Sequence, residues 1–130
     1  MVNFMRFLVP AAALGMIGAG ILAASAAQAA PDVEAGRKAF AACAACHGTT
    51  AGAKKLGPTL FGVVGRKAGT VPGFKASPAL AKSDKTWSRA ELDAYIANPR
   101  KALPGTRMPY GGMANAQQRK ALIDYLATLK

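Results

Sequence analysis

Apolar residues recur at helical spacing in two well separated parts of the chain. Asp32 can cap a first helix that runs from about Val33 to Cys46, where apolar positions fall on one stripe. Near the carboxyl terminus, apolar residues occupy positions i, i+3, i+4 and i+7, which is typical of one face of an amphipathic helix. These residues are Leu122, Tyr125, Leu126 and Leu129. The pattern therefore predicts a first and a terminal helix, each with one apolar face.

A third helix is predicted between these two, and its side chains mark where it starts. Ser88 followed three residues later by Glu91 is typical of a capping box, in which each side chain bonds the backbone N–H of the other residue. The helix is predicted to end before Pro99, because proline disfavours helical backbone in the residue that precedes it. Asn115 and Gln118 form a similar pair at the start of the terminal helix.

The remaining stretches show no regular period. Between residues 48 and 85, seven glycines and three prolines interrupt any long element. Apolar and polar residues do not alternate there, so the sequence predicts loops and at most a short helix rather than a sheet. A second loop is predicted over residues 100–114. A loop as long as the first is unusual inside a small domain, so we expect something other than backbone hydrogen bonds to hold it.

The first thirty residues differ in composition from the rest. Arg6 is their only charge, and residues 7–24 are almost wholly apolar and are followed by an A-x-A sequence. This arrangement predicts an export signal over residues 1–29, cleaved after Ala29, and a single domain over residues 30–130. An uncleaved membrane anchor is the alternative, since about 20 apolar residues span a bilayer. A proline and three glycines within the apolar run disfavour a permanent span.

The charge balance is strongly basic. Seventeen Lys and Arg residues oppose six Asp and Glu residues, for a formal net charge of +11, or +10 once Arg6 of the leader is left out. Nucleic acid is one partner that such charge would fit. It is disfavoured because the chain is predicted to be exported and its cations are scattered. A domain this small usually needs a disulfide, a metal or a cofactor to complete its core.

The candidate chemistry lies in residues 42–48, which read ACAACHG. Cys43, Cys46 and His47 are the only two cysteines and the only histidine in the chain. A thioredoxin-like dithiol would follow a strand, and none is predicted. A structural zinc ion needs four ligands, which the chain does not offer in cysteine and histidine. The spacing C-x-x-C-H is the signature of covalent haem attachment. We favour that interpretation over these and over a plain disulfide.

Haem bound at this motif would take His47 as one iron ligand. Met108 and Met113 are the only methionines after the leader. Met108 is favoured as the second ligand, because Pro104 and Pro109 restrain its loop, whereas Met113 follows two glycines. His/Met ligation raises the reduction potential and leaves no iron position open for a substrate. The expected function is therefore electron transfer rather than enzymatic catalysis, and a haem peroxidase is the less favoured alternative.

With these motifs, the chain resembles the class I c-type cytochromes of mitochondria and purple bacteria over about residues 33–130. The matching segments stand in family order and read GRKAFAACAACH, LGPTLFGVVGRKAG, VPGF, TW, LDAYIANPRKALPGTRMPYGG and LIDYLATLK. The resemblance implies an all-α fold of three to five helices, with long loops wrapped around one covalently bound haem c. Two positions depart from the family pattern. Ala76 replaces a tyrosine and Leu80 replaces an asparagine, both of which usually help to hold a propionate or an internal water.

The resemblance also implies roles for residues around the haem. The carbonyl of Pro58, or of a neighbour, would accept the proton on the far nitrogen of His47, which fixes the orientation of the ring. Arg66 and Trp87 would contact or neutralise a haem propionate. The hydroxyl of Tyr95 would lie near the methionine sulfur.

Five basic residues are expected to border the exposed haem edge. They are Lys54, Lys55, Arg100, Lys101 and Arg107. Positive charge there would attract acidic patches on redox partners. The donor would be a quinol–cytochrome c reductase or a dehydrogenase, and the acceptor a terminal oxidase or a reaction centre. The expected protein is a periplasmic monomer that meets the membrane only through these partners or through an uncleaved segment 7–24. A fixed haem subunit of a dehydrogenase or oxidase is the alternative.

Overall fold

The computed structural model describes residues 30–130, and the predicted leader over residues 1–29 lies outside the described residues. The described part of the chain contains helices and loops but no strand. The α-helices are α1 (Val33–Ala39), α2 (Pro78–Ala81), α3 (Arg89–Ala97), α4 (Pro99–Ala102) and α5 (Ala116–Leu126), with one 3-10 helix at Phe40–Ala42. Among these helices, none has the length and apolar character needed to cross a membrane.

Helices α1 and α5 cross at close range. Gly36 is buried at the crossing. A Cβ atom at this position would collide with the carbonyl group of Ala121 and lie 2.7 Å from the Cβ of Tyr125. The aromatic rings of Phe40 and Tyr125 pack beside the crossing, with 5.5 Å between their centroids. Only glycine at position 36 therefore allows the two helices to approach this closely.

The first helix is shorter than predicted. It begins at Asp32, whose carboxylate accepts a 3.0 Å hydrogen bond from the backbone N–H of Ala35. The prediction that it continues to Cys46 is wrong, because α1 ends at Ala39 and the chain tightens into the 3-10 helix. Such tightening is common at helix ends. Over so few residues, a stripe of apolar positions does not distinguish an α-helical turn from a 3-10 turn.

Both predicted N-cap residues accept a hydrogen bond from the backbone N–H three residues later, but the return bond of a capping box is missing at each. The hydroxyl of Ser88 accepts a 3.1 Å bond from the N–H of Glu91. The carboxylate of Glu91 does not return the bond, because it accepts one from Lys85 Nζ at 2.7 Å. At α5, the side chain of Asn115 likewise accepts from the N–H of Gln118 at 2.9 Å. Both helix starts are correct, and the reciprocal bonds of a capping box are missing from the described residues.

The chain between α3 and α5 contains a helix that the sequence analysis treats as loop. Asn98 has an extended backbone that ends α3, and its side chain accepts from the N–H of Lys101 at 3.2 Å. Pro99 occupies the first turn of α4, where its missing N–H costs nothing. The predicted stop before Pro99 is confirmed, but the loop predicted over 100–114 begins only after Ala102.

The long segment between residues 48 and 85 is held partly by backbone hydrogen bonds, contrary to expectation. Residues 65–68 run beside residues 85–87. Gly65 N–H donates to the carbonyl of Trp87 at 2.9 Å, and Trp87 N–H donates to that of Arg66 at 2.8 Å. Ala68 N–H adds a 2.8 Å bond to the carbonyl of Lys85. These contacts fix Arg66 and Trp87 side by side.

A buried carboxylate joins α5 to the start of α3. Asp124 is 5% exposed. Its Oδ2 accepts from Lys120 Nζ at 2.9 Å and its Oδ1 accepts from Arg89 Nη1 at 2.6 Å. The hydrogen bond from Lys120, followed by that from Arg89, holds the pKa of Asp124 below its ordinary value, although burial opposes the shift. The carboxylate is therefore charged in the folded protein at neutral pH.

Candidate haem site

One cavity of about 420 Å³ lies between the turn that follows α1 and the loop that follows α4. The turn contributes Cys43, Cys46 and His47 to its lining, and the loop contributes Met108. Its walls include apolar side chains of the core. These are Val63, Leu80, Trp87, Leu92, Leu122 and Leu126. The structure thus brings together in one apolar space the four residues expected to bind haem.

Both cysteines are free thiols that partly face this cavity. The N–H of Cys46 donates to the carbonyl of Cys43 at 3.1 Å, and that of His47 donates to the same carbonyl at 2.9 Å. One tight turn therefore presents all three side chains. Burial, followed by the neighbouring Cys46, raises the pKa of the Cys43 thiol.

The imidazole of His47 is fixed by backbone groups. Its Nδ1 lies 2.7 Å from the carbonyl oxygen of Pro58, so Nδ1 donates this hydrogen bond and Nε2 is the ring nitrogen that remains for a metal ion. The contact predicted for Pro58 is present. Gly57 lies flat against the ring, since a Cβ atom there would sit 2.5 Å from Cε1 of His47. Gly57 N–H also donates to the carbonyl of Cys46 at 2.8 Å. No sequence pattern by itself predicts a role for Gly57, although its place directly before Pro58 is a signal.

Met108 is positioned through side chains. Its backbone N–H donates to the Thr106 hydroxyl at 3.3 Å. The hydroxyl of Tyr95 lies 2.7 Å from the same oxygen. The hydrogen-bond partner of the Tyr95 hydroxyl is thus Thr106, and Tyr95 and Met108 line the same cavity. The expected place of this hydroxyl near the methionine sulfur stays a prediction. Burial raises the pKa of Tyr95, while the bond to Thr106 opposes the shift. Thr106 is a further residue that the sequence analysis missed.

The second methionine is placed differently. Met113 packs against the core formed by the buried helix faces, and its N–H donates to the carbonyl of Ile96 at 2.9 Å. It is absent from the cavity lining, whereas Met108 belongs to it. The position of the two side chains therefore favours Met108 as the residue available to an iron ion in the cavity.

Arg66 provides a test of whether haem fits. Its Nη1 donates to the carbonyl of Phe61 at 3.0 Å. Its Nε is buried and has no hydrogen-bond partner among residues 30–130. Burial also lowers the pKa of this guanidinium, which stays charged at neutral pH. Buried donors are rarely left unpaired, and a carboxylate such as a haem propionate would satisfy this one. The residues present fit the group.

Trp87 lies beside Arg66, and one of the two departures from the family pattern lines the cavity. Trp87 lines the cavity, and its ring centroid lies 4.9 Å from that of Tyr95. Leu80 also lines the cavity and makes that wall apolar, whereas Ala76 does not reach it. Arg66 is therefore a charged group beside this apolar wall that is available to a carboxylate.

The five predicted basic residues are all exposed, but they do not all border the cavity. Arg107 lines it. Lys54 and Lys55 line a second cavity that shares Arg66 and Phe74 with the first. The other two, Arg100 and Lys101, lie in α4 and line neither cavity. Their place beside the exposed haem edge stays a prediction. Lys75, which was not predicted, does line the first cavity.

The donor set suits haem better than the other ligands considered. Two thiols, one imidazole with a free Nε2, one thioether and an unpaired guanidinium meet in an apolar space. A metal ion bound by side chains alone is not supported. Over the described range 30–130, no three residues among His, Cys, Asp and Glu are grouped so that they could hold one.

Known proteins resemble this chain over most of its length. A family model described as cytochrome c matches residues 33–130. Cytochrome c2 iso-2 of Magnetospirillum molischianum is 47% identical over 91 residues, which is 70% of this chain and 94% of that protein. Cytochrome c2 of Rhodomicrobium vannielii is 41% identical over 116 residues, 88% of this chain and 93% of that one. The structure of cytochrome cH from Methylobacterium extorquens is 45% identical, with a TM-score of 0.71 over 75% of this chain and 98% of that one.

Proposed function

This chain belongs to the cytochrome c family, and on that premise we propose which of its residues make it an electron carrier with one haem c. Cys43 and Cys46 would hold the haem through two thioethers. His47 and Met108 would ligate its iron. The observation that carries the proposal is that one apolar cavity is lined by both thiols, the single imidazole of the chain and Met108.

The protein's own groups serve electron transfer by holding the site still. When bound, haem c supplies a one-electron couple between ferrous and ferric iron. The bond from His47 Nδ1 to Pro58 keeps Nε2 available and fixes the ring. The bond from Met108 N–H to Thr106 restrains the opposite loop. The apolar walls exclude water, and Arg66 offers its unpaired Nε to a negative group.

We also propose where the protein acts and what it meets. Residues 1–29 would direct export and be cleaved after Ala29, which leaves a periplasmic monomer over residues 30–130. Its partners would be acidic redox proteins, because the domain carries a formal net charge of +10 and no acidic residue lines either cavity. With Met108 on the iron, no position is left for a substrate, so we propose no catalytic activity.

Purification after periplasmic expression with the haem maturation machinery tests covalent attachment. The pigment should stay with the polypeptide in acid–acetone, and it should cycle on addition of ascorbate and ferricyanide. Extraction of the pigment, or its absence, would contradict the proposal. The mass of the purified chain distinguishes a form that starts after Ala29 from one that keeps its leader.

Ligation is tested by the pair Met108→Ala and Met113→Ala. The first variant should lose the low-spin spectrum of His/Met iron and lower the midpoint potential by on the order of 100 mV or more, because a thioether stabilises ferrous iron. The second should keep both, since Met113 packs in the core. A reversed outcome would transfer the ligand role to Met113.

A further inference from the structure

The second cavity, of about 420 Å³, lies beside the space assigned to haem. It is lined mainly by residues 51–55 and residues 71–74, with Phe61 and Arg66 between them in the chain. None of the four residues proposed to hold haem or its iron lines it. Cavities of this size commonly bind small molecules. The second cavity is therefore a candidate binding site of its own.

Each wall of the second cavity is a turn held by its own hydrogen bonds. On one side, Ala53 N–H donates to the carbonyl of Thr50 at 3.2 Å, and the Thr59 hydroxyl donates to the same carbonyl at 2.7 Å. On the other side, Phe74 N–H donates to the carbonyl of Val71 at 3.3 Å. Within the described part of the chain, no backbone hydrogen bond joins the two turns. A ligand would therefore enter a preformed space between them, which lowers the cost of binding.

The lining of this cavity combines positive charge with apolar surface. Lys54, Lys55 and Arg66 are its charged residues. Lys55 donates to the carbonyl of Ala44 at 2.6 Å and Arg66 to that of Phe61 at 3.0 Å. Lys54 is exposed and forms no ion pair within residues 30–130, so it is the cation most available to a ligand. The apolar surface comes from Phe61, Val71, Pro72 and Phe74.

We propose that the second cavity binds a small organic carboxylate with a flat, apolar body. The apolar and aromatic lining would cover the body, and the ammonium group of Lys54 would bind the carboxylate at the exposed edge of the cavity. A neutral molecule of the same shape lacks the charge, and a small anion lacks the apolar body, so each should bind less well. The site does not depend on the electron-carrier function.

The test titrates the reduced holoprotein with cinnamate, cinnamamide and acetate at low ionic strength, where charge pairs are screened least. Backbone amide NMR signals give both the dissociation constant and the location of the ligand. Cinnamate should shift the signals of residues 51–57 and 71–74. It should bind about fivefold more tightly than cinnamamide, which lacks the charge, and about tenfold more tightly than acetate, which lacks the apolar body.

Two pairs of variants separate the site from the charge of the whole protein. Lys54→Gln should weaken cinnamate binding by about fivefold and leave cinnamamide unaffected. Lys38→Gln, in an exposed lysine of α1 that lines neither cavity, lowers the net charge equally and should bind cinnamate as the wild type does. Val71→Glu puts a carboxylate in the lining and should abolish binding, whereas Val33→Glu, on α1, should not.

Equal affinities of Lys54→Gln and Lys38→Gln for cinnamate would overturn the proposal, because the effect would then come from net charge alone. Equal affinities of the wild type for cinnamate and acetate would overturn it as well, since the apolar lining would contribute nothing. So would signal shifts that fall outside residues 51–57 and 71–74, or the absence of any shift.

Discussion

The two sides of the cavity are held in different ways. On the side of His47, the ring bonds a backbone carbonyl of Pro58 and lies flat against Gly57, so main-chain atoms define its place. On the side of Met108, the restraint passes through the hydroxyl of Thr106 and from there to Tyr95. A main-chain support moves only if the fold moves, whereas a side-chain support can rotate. The methionine side is therefore the one expected to yield first under stress.

The largest effect is expected on the histidine side. Gly57→Ala places a methyl group 2.5 Å from the His47 ring, and overpacking of this kind costs about 1–3 kcal/mol. The variant should therefore load less haem and unfold at lower denaturant concentration. Gly111→Ala, on the methionine side, is the control because no atom lies within 4 Å of the added group. If the two variants load haem equally, the tight packing attributed to Gly57 is wrong.

A substitution away from the cavity should lower the stability of the whole domain and affect the histidine and methionine sides of the cavity equally. Asp124→Asn removes the charge that bonds Arg89 and Lys120, at an expected cost of about 2 kcal/mol at neutral pH. Because the pKa of Asp124 is lowered in the folded state, its stabilisation is complete above the ordinary aspartate pKa. It is lost as the pH falls through the lowered value.

Denaturant unfolding at several pH values checks this expectation. The stability difference between wild type and Asp124→Asn should be greatest near neutral pH and should shrink in acid. A difference that stays constant down to low pH would show that the charge of Asp124 is not the source of its effect. If Asp124→Asn caused a selective loss of the proposed bond from Met108 to iron, the expectation that both sides of the cavity are affected equally would be wrong.

The smallest effect is expected on the methionine side, where the restraint is indirect. Thr106→Val removes the hydroxyl that accepts from Met108 N–H and contacts Tyr95, and one such bond contributes about 1 kcal/mol. With Met108 as the proposed iron ligand, its bond to iron should be lost at lower denaturant, before global unfolding. Tyr95→Phe should do the same, and the double variant should add less than the sum of the two. Additive effects would show that Tyr95 does not act on Met108 through Thr106.

The helices were predictable because apolar spacing and caps are local. Ser88 and Asn115 mark the starts of α3 and α5 correctly. The end of α1 at Ala39 and the short α4 were missed, since they depend on how a few residues settle against the rest of the fold. All-α architecture and membership of the cytochrome c family are confirmed.

Within the site, the residues that line the cavity could be predicted from the sequence. The neighbouring residues that hold them in place could not. The motif around Cys46 and the resemblance together identified the residues that meet in the cavity. Gly57 and Thr106 were not recognised, because their importance comes from contacts with His47 and Tyr95, which lie in other segments of the chain. The sequence also could not predict that Arg100 and Lys101 lie on α4 rather than in a loop, because α4 depends on contacts with the rest of the fold.

The close crossing of α1 and α5 has a consequence for biosynthesis. Gly36 lies near the start of the described chain and Ala121 near its end, so the core cannot close until nearly the whole polypeptide has left the ribosome. Contacts between such distant segments carry a loop-closure cost that nothing in the nascent chain offsets earlier. A copy truncated before α5 would therefore lack the helix against which α1 packs.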